Sequence, residues 1–124
     1  MPQRHLLIVA HGSRRQASND EVRALGERIG ELHDPAIHRV EVAFLELAEP
    51  SIPDGLARCV DQGAEEIIVF PYFLAAGTHV ANDIPLALAA FGERYPDVRV
   101  RLAAHLGAST SLARTVLDGV GEMG

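Results

Sequence analysis

Short apolar runs and helix-like stripes alternate along this chain. Residues 6–10 (LLIVA) and 67–70 (IIVF) are continuously apolar, which is typical of strands buried on both faces of a sheet. In residues 39–44 and 98–102, apolar positions alternate with mostly polar ones, which is typical of strands at a sheet edge. The pattern therefore predicts two central strands and two edge strands.

Four further segments carry apolar residues at intervals of three and four, so each predicts a helix with one apolar stripe. The four stripes are Val22, Leu25, Ile29 and Leu32; Ile52, Leu56 and Val60; Ile84, Leu88, Phe91 and Tyr95; and Leu112, Val116, Val120 and Met123. We expect the third helix to begin near Asn82 and Asp83, with Pro85 in its first turn, because these residue types favour helix starts.

The order βαβαβαβα predicts an α/β fold with a parallel sheet, right-handed crossovers and helices on both faces. We expect one doubly wound domain over residues 1–124. With strands 1 and 3 central, the simplest strand order is 2-1-3-4, in which the winding direction reverses between strands 1 and 3. Ligands of open α/β sheets bind at the carboxyl ends of the strands at this point, so we expect function just after Ala10 and just after Tyr72.

The composition excludes several classes of function. The 124 residues include 17 acidic residues against 11 basic residues, all of them arginine, and the net charge is −6. This charge argues against a broad surface for nucleic acid or anionic membranes, although a local basic site remains possible. The single cysteine, Cys59, forms no intrachain disulfide, and no apolar run is long enough to cross a bilayer. We therefore expect a cytoplasmic protein.

Two histidines and one glutamate follow the predicted strands at the carboxyl edge. His11 follows strand 1, His79 follows strand 3 and Glu46 follows strand 2. Together they offer the nitrogen and oxygen ligands that suit a divalent first-row metal ion. A loop histidine is more often only solvated, and Glu46 could instead be a surface carboxylate or accept a hydrogen bond from the next helix. His105 follows strand 4 at the same edge, and its role stays open.

Arg14 and Arg15 form the only adjacent basic pair and stand beside His11. They belong either to a solvated loop or to a site for substrate carboxylates or phosphates, which the guanidinium fork recognises well. Ser13 either caps the segment after strand 1 or, with Gly12, offers backbone N–H groups to an anion.

Other charged and imidazole groups are expected to have no catalytic role. His5 and His38 lie at strand starts, the end of a parallel sheet that rarely carries function, and we expect them to be structural or exposed. Glu66 is expected to be an ordinary surface charge.

Three blocks, LLIVAHGSR, VAFLELAEPSI and IIVFPYFLAAGTHVANDIP, together resemble the short sirohydrochlorin chelatases of cobalamin and sirohaem synthesis. The resemblance extends from about residue 6 to residue 106. It implies a class II chelatase that inserts Co²⁺ or Fe²⁺, with Ni²⁺ as a further candidate, into sirohydrochlorin or a related tetrapyrrole without ATP and without a permanently bound cofactor. On this resemblance, His11 and His79 are the metal-binding and catalytic pair, and Glu46 matches a glutamate that contributes to the metal site.

The resemblance also implies how the substrate is held. The substrate carries many carboxylates, so Arg14, Arg15 and the N–H groups near Ser13 and Thr78 are candidate clamps. Family members also exist as double-length chains with two such domains, and this chain is similar to the short form, which works as a homodimer.

Two other functions compete with this reading. A histidine phosphatase would carry an arginine before the nucleophilic histidine, where this chain has Ala10. A carrier of metal or tetrapyrrole would use the same histidine-lined crevice without catalysis, and only a turnover assay distinguishes it from a chelatase.

Overall fold

Four strands and four helices alternate in this computed structural model, which describes residues 2–124 except for the side chain of His79. They are β1 (Arg4–Ala10), α1 (Gln16–Glu31), β2 (Arg39–Phe44), α2 (Ile52–Asp61), β3 (Glu66–Pro71), α3 (Thr78–Arg94), β4 (Arg99–Leu102) and α4 (Leu112–Gly121). A single 3₁₀ turn, Leu106–Ala108, precedes α4. Within the described residues, no helix is both long and apolar enough to span a membrane.

All four strands are parallel, and their order is β2-β1-β3-β4. In the centre of the sheet, Ile8 of β1 lies opposite Val42 of β2 on one side and Phe70 of β3 on the other. The predicted strand order, with β1 and β3 central, is therefore confirmed. It places the reversal of winding direction at the carboxyl ends of β1 and β3.

Helices cover both faces of the sheet. Gly26 of α1 lies against Val40 and Val42, whereas Gly55 of α2 lies against Ala43 and Leu7. Because successive side chains of a strand point to opposite faces, α1 and α2 lie on opposite sides. The main core lies on the α2 side, where α3 joins it, and consists of Leu7, Val9, Ala43, Ile52, Leu56, Cys59, Ala64, Ile67, Val69, Ile84 and Phe91.

The third helix begins earlier than predicted. It starts at Thr78 rather than near Asn82, so Pro85 lies inside the helix and not in its first turn. The Ala81 N–H already donates to the Gly77 carbonyl, which shows that helical hydrogen bonding begins one turn before the expected start. Because Pro85 lacks an N–H, its place in the interior removes one helical hydrogen bond. Residue 79 therefore stands in the first turn of a helix and not in a loop.

The last helix forms, but its apolar stripe is not buried. Val116 and Val120 of α4 are 61% and 60% exposed, and Met123, just beyond the helix, is 85% exposed. The helix packs mainly against the 3₁₀ turn before it instead of lying flat on the sheet. The periodicity predicted the helix correctly and could not predict that this chain alone leaves its stripe uncovered.

Candidate metal and substrate site

His11 and Glu46 meet beyond the carboxyl ends of the strands. His11 directly follows β1, Glu46 lies two residues beyond β2, and these strands are neighbours. The His11 Nε2 atom lies 3.0 Å from Glu46 Oε1, a hydrogen-bond distance, and the two side chains are 54% and 58% exposed. The pair thus offers an imidazole nitrogen and a carboxylate oxygen to a cation arriving from solvent.

Gly12 allows the two loops of this pair to touch. Its φ of +95° lies in the region that side chains other than glycine rarely adopt, and a Cβ at this position would lie 1.7 Å from the Glu46 carbonyl oxygen. The Glu46 N–H donates in turn to the His11 carbonyl at 3.1 Å. The sequence suggested for Gly12 only a backbone N–H that donates to an anion, because its contact with the distant Glu46 leaves no local pattern.

The other predicted residues of the loop after β1 lie close by. Arg14 and Arg15 are exposed, and Arg15 is the residue that precedes the first turn of α1. The Ser13 N–H donates to Asn19 Oδ1 at 2.9 Å, and the Ser13 hydroxyl accepts from the Arg15 N–H at 3.0 Å. The Ser13 N–H is therefore already engaged, and the two guanidinium groups are the parts of this loop best placed to meet an anion.

The loop after β3, residues 72–77, brings a third segment to His11. The Phe73 ring stands edge-on to the His11 ring with centroids 6.4 Å apart. Gly107, in the 3₁₀ turn, holds this loop: its N–H donates to the Phe73 carbonyl at 2.9 Å, and a Cβ on it would lie 1.7 Å from the Leu74 carbonyl oxygen. The 3₁₀ turn that follows β4 therefore positions the chain that leads into α3.

Thr78 and residue 79 are the first two residues of α3. The side chain of His79 lies outside the described residues, so its pairing with His11 stays a prediction. Among the side chains that the structure describes, no three His, Cys, Asp or Glu residues converge on one point suited to a metal ion. His105 is half-buried at the start of the 3₁₀ turn, where its carbonyl accepts from the Ala108 N–H.

A different charge cluster occupies the amino edge of the sheet, and it corrects the expectation for Glu66. Glu66 is only 5% exposed, and its carboxylate accepts a hydrogen bond from Arg4 Nε. Arg99 and Arg101 lie 3.7 Å and 4.0 Å from the same carboxylate. The hydrogen bond from Arg4, helped by the charges of the three arginines, holds the pKa of Glu66 below its ordinary value despite burial. The strand register places Glu66 directly between Arg4 and Arg99, which the sequence alone does not reveal.

His5 is fully buried at the same edge. Its ring stacks on that of His38 with centroids 5.8 Å apart, and neither ring nitrogen has a hydrogen-bond partner among the residues that the structure describes. Burial lowers the pKa of His5, and the charges of His38 and Arg39 lower it further, against the opposing effect of Glu41. His5 is therefore a buried structural group and not part of an open site.

Comparison with known proteins now identifies the family. The sequence matches the CbiX family model over residues 5–123. The chain belongs to the CbiX family. Among its relatives, this CbiX chain is 35% identical to the sirohydrochlorin ferrochelatase of Priestia megaterium, over 94% of this chain and 43% of that protein. It is 41% identical to the sirohydrochlorin cobaltochelatase of Methanocaldococcus jannaschii, over 67% of this chain and 57% of that protein.

Solved structures of CbiX relatives share the whole architecture. A CbiX protein from Marinobacter aquaeolei VT8 superposes with a TM-score of 0.81 at 32% identity, covering 97% of this chain and 96% of that chain. The sirohydrochlorin chelatase SirB from Bacillus subtilis subspecies spizizenii, in complex with cobalt, gives a TM-score of 0.84 at 32% identity, covering 97% and 50%. This CbiX chain thus spans about half the length of the first curated relatives that it matches.

Proposed function

We propose that this CbiX chain is a chelatase that inserts a divalent metal ion, Co²⁺ or Fe²⁺, into sirohydrochlorin without ATP; Ni²⁺ and a related tetrapyrrole are the further candidates. The observation that carries the proposal is the exposed His11–Glu46 pair, 3.0 Å apart, at the carboxyl ends of neighbouring strands. Relatives named as sirohydrochlorin ferrochelatases and cobaltochelatases support the reaction and the choice of metals.

The pair suits both parts of the chemistry. Insertion replaces two pyrrole N–H bonds of the ring with metal–nitrogen bonds, so two protons leave as the metal enters. A neutral imidazole is a metal ligand and, with an ordinary pKa near 6.5, also a proton acceptor near neutrality. Glu46 offers a negative oxygen that lowers the net charge of the incoming ion and can accept a proton. His79, in the first turn of α3, is proposed as the second histidine of the site.

Substrate binding is assigned to groups around this pair. Arg14 and Arg15 are exposed beside His11 and meet the carboxylates of the tetrapyrrole, while the Ser13 hydroxyl and the Thr78 end of α3 are further polar groups for the same purpose. Leu74, which is 72% exposed next to Phe73, offers an apolar wall to the macrocycle face. Orientation by these contacts sets how the ring nitrogens approach the metal.

We further propose that residues 1–124 form one chelatase-like domain that works in the cytoplasm as a homodimer. An apolar groove of about 380 Å³ lies between α1, the sheet and α4, and Leu25, Phe70 and Leu112 are among its lining residues. The exposed Val116 and Val120 lie on α4, the helix that borders the groove. An uncovered apolar surface of this kind favours association with a second copy.

Oligomeric state is measured by light scattering during size exclusion. We expect twice the chain mass of 13.3 kDa for the wild type and for Leu86→Arg, which alters an exposed leucine on α3. We expect a monomer for Val120→Arg. A wild type of 13.3 kDa at micromolar concentration contradicts the homodimer without touching the proposed reaction.

The reaction itself is tested by following sirohydrochlorin absorbance under anaerobic conditions with Co²⁺, Fe²⁺ and Ni²⁺ in turn. We expect His11→Ala and His79→Ala to stay folded and to lose about 10²–10⁴-fold in insertion rate, the usual contribution of a general acid or base. Glu46→Gln should weaken the use of metal and leave substrate affinity largely unchanged.

Two outcomes contradict the proposal in different ways. Equal insertion rates for the wild type and both histidine variants would exclude these histidines from the mechanism. Stoichiometric binding of cobalt or tetrapyrrole, with no insertion above the uncatalysed rate, would identify a carrier instead of an enzyme.

A further inference from the structure

Asn19 of α1 holds the loop that carries His11. Asn19 is 3% exposed, and its side-chain amide makes two hydrogen bonds to the backbone of Ser13. Its Oδ1 atom accepts from the Ser13 N–H at 2.9 Å, and its Nδ2 atom donates to the Ser13 carbonyl at 2.8 Å. Desolvating an amide is costly unless it is fully bonded. An apolar side chain would fill this place at a lower desolvation cost, so the amide acts on the loop rather than on the core.

Arg23 holds the loop that carries Glu46. Its Nη2 atom donates to the Glu49 carbonyl at 2.9 Å, and its guanidinium lies 5.0 Å from the centroid of the Phe44 ring. Phe44 ends β2 and is fully buried, so it is a fixed platform for the guanidinium. Arg23 also bonds Asp20 at 3.0 Å on its own helix, which limits its freedom further. The loop between β2 and α2 is therefore tied to α1 from outside.

Asn19 and Arg23 act together because they are one helical turn apart. Residues 19 and 23 are at i and i+4 of α1, so their side chains emerge from the same face of that helix. Asn19 is hydrogen-bonded to residue 13, two positions after His11, and Arg23 is hydrogen-bonded to residue 49, three positions after Glu46. A rigid helix thus spans the two loops whose side chains meet at 3.0 Å.

We propose that Asn19 and Arg23 are positioning residues that set the distance between His11 and Glu46, and thereby the affinity of this pair for a divalent metal ion. This inference rests on the proposed function for its catalytic consequence. Its direct consequence is a change in metal affinity, which is measured without the tetrapyrrole. Residues that orient metal ligands from behind typically account for 10-fold to 100-fold in metal affinity.

The test is calorimetric titration of Co²⁺ into purified chains. We expect Asn19→Ala and Arg23→Ala each to raise the Kd for Co²⁺ by about 10-fold to 100-fold. Gln62→Ala and Arg28→Ala are the controls, because the first removes an exposed amide just after α2 and the second removes an exposed guanidinium from α1 itself. The controls should change the Kd by less than about twofold, as exposed substitutions do.

A second background separates positioning from a general loss of stability. In Glu46→Gln the pair is already impaired, so Asn19→Ala should change the Kd for Co²⁺ by less than about threefold there, since residues acting through one contact are not additive. In insertion assays, Asn19→Ala should lower kcat more than it raises KM for sirohydrochlorin. If Asn19→Ala does not fold, Arg23→Lys takes its place, because it keeps the charge and loses the fork that reaches Glu49 over Phe44.

Each outcome decides between the claims. Unchanged Kd values in Asn19→Ala and Arg23→Lys overturn the inference, as does an equal effect of Asn19→Ala in both backgrounds, which indicates a merely structural role. A wild type that binds Co²⁺ but inserts none contradicts the proposed function and leaves the Kd comparison valid. A wild type that does not bind Co²⁺ overturns both.

Discussion

The two ends of the sheet carry the same residue types in opposite surroundings. At the amino end, His5 is fully buried and neither of its ring nitrogens is bonded within the described part of the chain, while Glu66 accepts a hydrogen bond from Arg4 and is flanked by two further arginines. At the carboxyl end, His11 and Glu46 are more than half exposed and contact each other. The first set is closed to ligands, whereas the second set faces solvent.

This difference separates groups that stabilise the fold from groups that are accessible to a ligand. Among the described residues, both groups with a lowered pKa lie at the amino end: burial lowers the pKa of His5, whereas the hydrogen bond from Arg4 and the nearby arginine charges lower the pKa of Glu66 against the effect of burial. A shifted pKa is therefore a poor guide to the site in this protein, although it marks functional sites in many others. Accessibility, position at the reversal of strand order and glycine-mediated contact between loops favour the carboxyl end as the candidate site instead.

Of the substitutions compared between the two ends of the sheet, Gly12→Ala should lower the insertion rate most. The new Cβ would lie 1.7 Å from the Glu46 carbonyl oxygen, at a φ of +95°, so the two loops must separate by more than an ordinary thermal displacement. A misplacement of about 1 Å can cost about 10²-fold in rate, and we expect an insertion rate lowered by that amount. The measurement is the initial rate of metal insertion per folded molecule.

Gly92→Ala is the control for that substitution, because among the described residues a Cβ at residue 92 meets no atom within 4 Å beyond its chain neighbours and its own helix backbone. It should leave the insertion rate unchanged. Full activity of Gly12→Ala would mean that the contact between the loops of His11 and Glu46 is irrelevant to the reaction.

The two glutamates allow a matched comparison between the ends. Glu66→Gln removes the negative charge that three arginines surround and leaves Arg4 with a neutral amide oxygen as its acceptor, so we expect a loss of about 1 kcal/mol in the free energy of unfolding and an unchanged insertion rate. Glu46→Gln should show the reverse, a slower reaction at nearly unchanged stability, because its side chain is exposed. Urea unfolding and insertion rates measured on both variants check this; a stability loss from Glu46→Gln as large as that from Glu66→Gln would remove the distinction.

His5 gives the smallest expected effect, which depends on pH. Because its folded-state pKa lies below the ordinary value of 6.5, the unfolded chain binds the proton more readily than the folded chain. The stabilising contribution is complete above that value and is lost as the pH falls below it. We therefore expect the Tm of the wild type to fall between pH 7.5 and pH 5.5, and to fall less in His5→Leu.

His33→Asn is the control for the pH series, since His33 is exposed at the same end and asparagine tolerates its φ of +50°. It should keep the wild-type pH dependence. An identical dependence in His5→Leu would show that protonation of other groups causes the loss.

Most of the fold followed from the spacing of apolar residues. The continuous runs of β1 and β3 and the alternation in β2 and β4 predicted the strand order, because burial on two faces or one leaves a local pattern. The predicted start of α3 was wrong, because Asn82, Asp83 and Pro85 are residue types typical of a helix start but lie inside a longer helix. The exposure of the α4 stripe could not be predicted, because a helical spacing of apolar residues does not show which surface, if any, the stripe packs against.

The meeting of His11 and Glu46 was predictable from the sequence, whereas the residues that support their loops were not. His11 and Glu46 follow strand ends, which topology brings together. Arg23 and Gly107 contact backbone atoms that are distant in the sequence, and Asn19 bonds Ser13 across the turn into α1; the apolar spacing predicts none of these contacts. The burial of Glu66 has the same origin, because strand register alone surrounds it with arginines.

Histidine-selective NMR during a Co²⁺ titration tests most directly the claim that the carboxyl end is the metal site. Among the six histidines, the ring signals of His11 should broaden first at substoichiometric Co²⁺, and those of His5 and His38 should stay sharp. Glu46→Gln should shift the broadening of His11 to higher Co²⁺ concentrations. Broadening of His5 or His38 before His11 would contradict the assignment of metal binding to the carboxyl end.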